Sequence, residues 1–152
     1  MAARIPPFYR TFFATIDPVI CFTGILLPLF APDIYLKSFS PTAAIPPSVE
    51  TRVCLDNLAA WFTACFLLQV GLLRARPNDL TAWRFLQAAI LVVDVGMLAA
   101  YSRAFHAQER MKWSAWRLEE WANVLVTVGV AMVRTAFLMG VGLGKSDRVK
   151  RG

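Results

Sequence analysis

The sequence predicts an all-α membrane protein in which four transmembrane helices form one bundle and residues 1–152 form a single transmembrane domain. Of the 152 residues, 57% are hydrophobic and 17% are charged, which is more apolar than is usual for a soluble domain of this length. The apolar residues are concentrated in four runs, at 11–30, 55–73, 85–101 and 121–143. Each run is near the length of about 20 residues that a helix needs to cross the hydrocarbon core of a bilayer. None of the runs alternates as a strand of a transmembrane barrel would, so all four are expected to be helices.

The first run contains Asp17 followed by Pro18. Because proline lacks a backbone N–H, we expect a kink there, with carbonyl groups freed toward the bundle interior beside the carboxylate. An ordinary irregularity of the helix is the alternative interpretation. A charged residue and a proline inside the apolar stretch also argue against a cleavable signal peptide.

The segment at 31–51 is the longest connection between runs. Its four prolines prevent a long helix, while its Ile, Leu, Tyr and Phe residues are too apolar for a solvated linker. We expect this segment either to fold over the mouth of the bundle as a lid or to form a passive cap in the membrane interface.

The remaining connections predict how the other runs are arranged. The turn at 74–79 is short, so the second and third runs should be antiparallel neighbours. The segment at 102–120 combines tryptophans with basic residues, a pattern typical of a short interfacial helix before the fourth run. Gly140, Gly142 and Gly144 follow no strand, so they do not form a nucleotide-binding loop and instead favour close helix packing.

The basic residues predict the orientation of the bundle. Of the sixteen Lys and Arg residues, nine lie on the side of the membrane that both termini share and six lie on the other side, while Arg134 lies inside the fourth run. This bias favours cytoplasmic termini. The net charge of +6 then reflects topology and contact with lipid headgroups rather than binding to nucleic acid. The lipid bilayer is the expected partner, and the endoplasmic reticulum is the default membrane.

Three ionisable residues lie inside the runs, namely Asp17, Asp94 and Arg134. A charge at the centre of a bilayer costs roughly 2.5–3.5 kcal/mol on insertion scales, so each should face protein or water and have a partner. At about 1.5 Å per residue, Asp94 lies about ten residues from the cytoplasmic end of its helix, Arg134 about nine and Asp17 about six. The three residues are therefore expected in one layer, where the planar guanidinium can bind both carboxylates. Gln69 and Gln87 lie nearer the same end and are expected to extend the network.

A second set of polar residues lies at the opposite end of the runs. Asp56 and Asn57 begin the second run and Tyr101 ends the third, and we expect these three residues to bind substrate. Helix capping and solvation are the alternative interpretation of this set, because polar residues are inexpensive near the interface. The set also includes Glu119, Glu120 and Asn123.

No metal or cofactor site is predicted. His106 is isolated, and no cluster of His, Cys and carboxylate residues has the spacing of a metal site. Cys21, Cys54 and Cys65 form no C-x-x-C pair and are expected to be buried, inert thiols.

Two carboxylates that share one arginine at low dielectric cannot be equally ionised. One carboxyl group is then an acid and the other a base, a division that suits the opening of an epoxide. The acid protonates the epoxide oxygen while the base activates water; where water is excluded, an internal nucleophile closes a ring. Soluble limonene-epoxide-type hydrolases use Asp–Arg–Asp residues in these roles on an unrelated fold, so the analogy concerns roles alone. A structural ion network that fixes helix register is the alternative interpretation.

The pattern Tyr9-Arg10-x-Phe12, Ile16-Asp17-Pro18 and Gly24, followed by four runs, resembles a family of small fungal integral-membrane proteins of unknown function. Some members are similar to membrane hydrolases of polyene α-pyrone biosynthesis, of the aurovertin and citreoviridin types. The resemblance implies the opening of epoxides in an oxidised polyene, alongside a pathway monooxygenase and synthase. It carries over no catalytic residue.

Together with this resemblance, the sequence predicts a membrane enzyme of fungal secondary metabolism that opens an epoxide of an apolar polyene, polyketide or terpenoid intermediate. Asp94 and Asp17 divide the acid and base roles, and Arg134 holds them in place. The alternative is a non-catalytic membrane scaffold or a small carrier. Four spans without an internal repeat do not resemble a transporter fold.

Overall fold

The computed structural model describes residues 5–143, and the regular structure within that range is helical throughout. The four predicted transmembrane helices are confirmed, and each is long and apolar enough to cross a membrane. They are α1 (Pro7–Phe30), α3 (Val49–Ala75), α4 (Leu80–Ala107) and α5 (Leu118–Leu138). A short helix, α2 (Pro32–Lys37), follows α1. The chain is therefore a multi-pass integral membrane protein.

Helices α3 and α4 begin before their apolar runs do, because polar residues cap them. Oγ of Ser48 accepts a hydrogen bond from the backbone N–H of Thr51 (3.2 Å), and Oδ1 of Asp79 accepts one from the N–H of Ala82 (3.0 Å). Such side chains satisfy N–H groups that have no partner within the helix. Hydropathy marks the part of a helix that contacts hydrocarbon, whereas these caps mark where the helix begins.

Helix α5 ends before its apolar run does. The backbone is left-handed at Gly140 (φ +80°) and Gly142 (φ +74°), a conformation that glycine adopts without steric cost. The N–H of Val141 bonds to the carbonyl of Ala136 (2.9 Å), as in a Schellman motif. These two glycines therefore terminate the helix, which differs from the predicted role in helix packing. Gly144 lies outside the described residues.

The spanning helices pack as two pairs, α1 with α3 and α4 with α5. The pairs meet where α1 begins and α5 ends, which we call the terminal end of the bundle. There Tyr9, Phe13, Trp83 and Phe137 form an aromatic floor, with ring centroids 5.0–6.5 Å apart. The hydroxyl of Tyr9 also donates to the carbonyl of Val141 (2.9 Å). Both ends of the described range thus lie on one side, and the assignment of that side to the cytoplasm stays a prediction.

The long connection after α1 folds over the opposite end of the bundle, which we call the loop end. Nη2 of Arg117 donates to the carbonyl of Lys37 (2.6 Å). Nδ2 of Asn123 lies 3.3 Å from both the carbonyl oxygen and Oγ of Ser38. The connection therefore covers the mouth of the bundle, and hydrogen bonds hold it to the residues at the start of α5.

The connection between α4 and α5 contains less helix than expected. Helix α4 continues to Ala107, so the interfacial helix is reduced to one 3-10 turn, Trp113–Ala115. Glu120 holds this connection, because its carboxylate accepts hydrogen bonds from Arg110 (2.6 and 2.9 Å) and from the backbone N–H of Arg117 (2.8 Å). The capping interpretation is thus confirmed for Glu120, which is also only 1% exposed and forms ion pairs with both arginines.

Gly24 permits close packing of α1 against α3, since a Cβ at this position would lie 3.0 Å from the ring of Phe62. We expect Gly24→Val to destabilise the protein by about 1–3 kcal/mol, the usual cost of overpacking. The measurement is the midpoint of thermal unfolding in detergent. Gly96→Val is the matched control, because no atom lies within 4 Å of a Cβ at this helical position. An equal loss in both variants would contradict the assignment to Phe62.

Candidate functional site

Asp17 enters the bundle interior from a distorted turn of α1. The segment Phe12–Ile16 is π-helical. Pro18 has no N–H to offer the carbonyl of Ala14, and that carbonyl accepts a hydrogen bond from Nη2 of Arg74 instead (3.2 Å). The alternative interpretation, an irregularity of the helix, is confirmed as a widened turn whose freed carbonyl is satisfied by α3, whereas the kink stays a prediction.

A second π-helical turn, Leu68–Leu72 in α3, packs against the first and carries Gln69. Such turns inside α-helices are frequent at functional sites. The amide of Gln69 is fully buried and lies close enough to Asp17 to act on its carboxyl group, yet its Nε2 and Oε1 form no hydrogen bond of ordinary distance and angle within the described residues. A buried polar group without a partner is costly, so Gln69 is a candidate for contact with a bound molecule.

Arg134 in α5 joins three of the spanning helices. Its Nη2 donates to Oδ2 of Asp17 in α1 at 2.5 Å, and its Nη1 donates to Oδ2 of Asp94 in α4. Its Nε donates to Oε1 of Gln87 at 3.1 Å. The predicted meeting of Asp17, Asp94 and Arg134, which we call the Asp–Arg–Asp cluster, is confirmed. Its catalytic role stays a prediction.

The Asp–Arg–Asp cluster is almost completely shielded, with exposed fractions of 3% for Asp17, 7% for Asp94 and 2% for Arg134. Three donors of the guanidinium bind fixed acceptors, a geometry for which the planar fork of arginine is suited. Each carboxyl group uses Oδ2 for Arg134, and no hydrogen bond within residues 5–143 engages Oδ1 of either one. The two Oδ1 atoms are therefore available to a bound molecule.

A cavity of about 370 Å³ extends from the cluster toward the loop end. Its volume lies within the range of about 300–1,000 Å³ that is usual for small-molecule sites. Polar groups converge at its deep end, where Asp17, Gln69, Asp94 and Arg134 line it, and most of its walls are apolar. Apolar walls with a few convergent polar groups are typical of sites for apolar ligands that carry one oxygenated group.

Of the three predicted substrate-binding residues, the structure brings Tyr101 to the cavity. The ring of Tyr101 lines the cavity and stacks on Phe39, with ring centroids 5.2 Å apart. Asp56 and Asn57 are exposed and do not line the cavity, and Oδ1 of Asp56 lies 3.5 Å from Nε of Arg52. The structure therefore does not bring Asp56 and Asn57 to the site.

The helical period explains the placement of Asp56 and Asn57. The cavity is lined from α3 by Phe62, Cys65 and Gln69, which recur every three or four residues and mark one face. The same face continues through the buried residues Ala59 and Leu55. Residues 56 and 57 follow Leu55 directly, so they lie on other sides of the helix.

A cover over the mouth of the bundle was expected from the segment at 31–51, but the residues that form the roof of the cavity were not identified from the sequence. Tyr35, Ser38 and Phe39, from α2 and the residues just after it, line the cavity at the loop end. Burial raises the pKa of the Tyr35 phenol, and the neighbouring Tyr101 adds to this effect, so the hydroxyl stays neutral. No sequence signal distinguishes these residues from the rest of the apolar loop.

The residues of α5 that line the cavity could have been identified from their spacing in the sequence. Counting back from Arg134 in helical steps gives Val130, Thr127 and Asn123, and all three line the cavity. Cys21 and Cys65 also line it, and both are buried as expected. The expectation of a buried thiol is wrong for Cys54, which is exposed.

Comparison with protein families matches residues 2–144 to a domain of unknown function, DUF7704. The match covers almost the whole chain, so the protein belongs to the DUF7704 family. With four apolar helices, it is a small four-span membrane protein of a family whose function is unknown. Neither the search of curated proteins nor the search of solved structures found a match.

The Asp–Arg–Asp cluster predicts a strong asymmetry between two variants. Arg134→Met leaves two carboxyl groups without their cation, and breaking a buried ion pair in this way costs about 3–5 kcal/mol. The triple variant Asp17→Asn, Asp94→Asn, Arg134→Met removes the charges together and should recover much of the loss. Folded yield after size-exclusion chromatography measures the difference. Equal yields from both variants would show that removal of Arg134 alone leaves no uncompensated charge in the bundle.

Proposed function

We propose that this protein is a membrane enzyme that opens an epoxide in an apolar polyene, polyketide or terpenoid intermediate of secondary metabolism. The observation that supports this proposal best is the position of Asp17 and Asp94 on one shared guanidinium, at the polar end of an apolar cavity. A substrate of this class partitions into the bilayer. The cavity offers apolar walls for its carbon skeleton and polar groups for its oxygen.

The charges of the cluster support a division of labour between the carboxyl groups. One guanidinium compensates one carboxylate, so the buried cluster is electrically neutral when the other carboxyl group holds a proton. The protonated group is a general acid, and the ionised group is a general base. Arg134 holds both at the same end of the cavity and is itself always protonated, so it does not compete for the transferred proton.

The reaction balances with water as the only co-reactant. The acid donates its proton to the epoxide oxygen as a C–O bond breaks, and the base takes a proton from water as the water oxygen bonds to that carbon. The product is a vicinal diol that contains the substrate plus one water molecule. An internal hydroxyl in place of water gives a cyclic ether that is an isomer of the substrate. In both cases one proton has moved from one carboxyl group to the other.

The geometry leaves room for these steps because Oδ1 of Asp17 and Oδ1 of Asp94 are not engaged by protein donors within the described residues. Tyr101, farther along the same cavity, contacts the substrate away from the reacting bond. General acid–base catalysis of this kind typically contributes about 10²–10⁴-fold in rate.

The chemistry of the substrate identifies the partners of the enzyme. An epoxide is made by oxidation of an alkene, so a monooxygenase supplies it, and a polyketide or terpenoid synthase makes the alkene. This placement is the one that a similarity to the hydrolases of polyene α-pyrone biosynthesis, expected from the sequence, would imply. We further propose that the protein resides in the endoplasmic reticulum with both termini in the cytoplasm, as the distribution of its basic residues favours.

Asp94→Asn should lower turnover at least about 100-fold, because the variant keeps the shape of the side chain and loses its proton transfer. The assay uses microsomes that contain the protein, an oxidised polyene epoxide and ¹⁸O-labelled water, with product analysis by mass spectrometry. Incorporation of ¹⁸O identifies hydrolysis, and its absence from a new product identifies cyclisation.

Asp56→Asn is the matched control, since it makes the same chemical change at an exposed position outside the cavity. It should retain full activity. Full activity in a folded Asp94→Asn variant would overturn the mechanism. Lack of turnover by the wild-type protein on polyene, polyketide and terpenoid epoxides would favour the scaffold or carrier instead.

A further inference from the structure

We propose that the substrate enters the cavity sideways from the bilayer, between α1 and α5, and that it is an elongated amphiphile whose oxygenated end contacts Gln69. This inference rests on the proposed function, because it takes the cavity to be the substrate site. It adds the route of entry, the shape of the substrate and a residue that positions it.

The residues around the cavity define a side opening between α1 and α5. Val19, Thr23 and Leu27 on α1 and Ala122 and Val126 on α5 line the cavity and are also exposed on the surface of the protein. All other lining residues, including those of α3 and α4, are buried or half-buried. The five exposed residues are spaced by four along each helix, so they form one stripe on either side of the opening.

The side opening lies at the depth of the hydrocarbon. At about 1.5 Å per residue, Val126 lies about 12 Å along α5 from Arg134, toward the loop end. Val19 is 62% exposed and Val126 is 45% exposed, although both belong to helices that are apolar enough to span a membrane. In a bilayer these side chains face acyl chains, so the opening connects the cavity with the lipid.

Both ends of the bundle are closed. At the terminal end, the aromatic floor lies on the far side of the cluster from the cavity. At the loop end, Asn123 contacts Ser38 and Arg117 donates to the carbonyl of Lys37, so the roof is held to α5. Nε2 of Gln108 also lies 3.4 Å from the carbonyl oxygen of Phe39. A molecule that enters through the side opening breaks none of these contacts.

Gln69 supplies polar atoms that the protein itself does not use. Its side chain is fully buried and lines the deep end of the cavity, and its donor Nε2 and acceptor Oε1 both lack a partner within residues 5–143. A hydroxyl or carbonyl group can satisfy such an amide, whereas a hydrocarbon cannot. Because the charged groups and the amide of Gln69 lie at the deep end and the opening is lined mainly by apolar side chains, the substrate inserts its oxygenated end first.

A photolabelling experiment tests the route without requiring turnover. Protein in phosphatidylcholine nanodiscs is irradiated with hexadecanol that carries a diazirine, and labelled residues are identified by mass spectrometry. Ile90 and Val93, which line the cavity from α4, should be labelled. Val126→Trp should reduce this labelling about tenfold. Leu125→Trp is the matched control, since Leu125 is 59% exposed and does not line the cavity, and labelling should be unchanged.

Unchanged labelling of Ile90 and Val93 in the Val126→Trp variant would overturn the route of entry. Should that variant fail to fold, Val19→Trp blocks the opening from α1 and decides the question in the same way. The route of entry and the proposed function can fail independently of each other in these experiments. Loss of labelling in the Val126→Trp variant together with full activity in Asp94→Asn would refute the acid–base mechanism and leave the side opening in place. Unchanged labelling in Val126→Trp together with loss of activity in Asp94→Asn would refute the side opening and leave the mechanism in place.

The contact with Gln69 has its own test. Gln69→Leu removes two unpartnered polar atoms, so stability should be maintained or increased. Labelling by the diazirine-bearing hexadecanol should fall about fivefold, the loss expected for one hydrogen bond, while labelling by a diazirine-bearing hexadecane should be unchanged. An equal loss with both probes would show that Gln69 only shapes the cavity and would refute the contact.

Discussion

The structure depends on a single constraint, which is that the guanidinium of Arg134 must be compensated inside a membrane. Asp17 and Asp94 provide that compensation from two different helices, and Gln87 accepts a third hydrogen bond. Since α1 belongs to one helix pair and α4 and α5 form the other, the cluster also joins the two halves of the bundle. Apolar packing of similar volume could join them at lower cost, so the proposed function gives the three charges a task beyond stability.

The cavity lies between the two helix pairs, on the loop-end side of the cluster that joins them. The aromatic floor closes one end, and the roof, tied through Asn123 and Arg117, closes the other. Between these ends the pairs leave a mostly apolar space whose charged groups lie at the cluster. Two π-helical turns adjust the register of α1 and α3 at that depth, so that Asp17 and Gln69 both face the same space.

The sequence was sufficient to predict the four spans and the meeting of Asp17, Asp94 and Arg134, because hydropathy gives length and depth follows from counting residues. It did not separate Tyr101, which lines the cavity, from Asp56 and Asn57, which are exposed. Those three residues differ in helical face rather than in depth, and a face can be assigned only once the neighbours of a helix are known. A cover formed by the segment at 31–51 was expected, but its exact residues could not be predicted, since their position depends on hydrogen bonds to backbone carbonyls across more than 80 residues of sequence, as between Asn123 and Ser38.

The position of Arg134 in α5, the last helix of the described residues, also determines when the cluster can form during synthesis. Its partner Asp17 lies 117 residues earlier, in the first helix, and Asp94 lies 40 residues earlier. Until α5 leaves the ribosome and enters the membrane, both carboxyl groups lack their cation. A chain that stops before Arg134 therefore leaves two acidic side chains inside the membrane without their cation. The Asp–Arg–Asp cluster can therefore form only after α5 has entered the membrane.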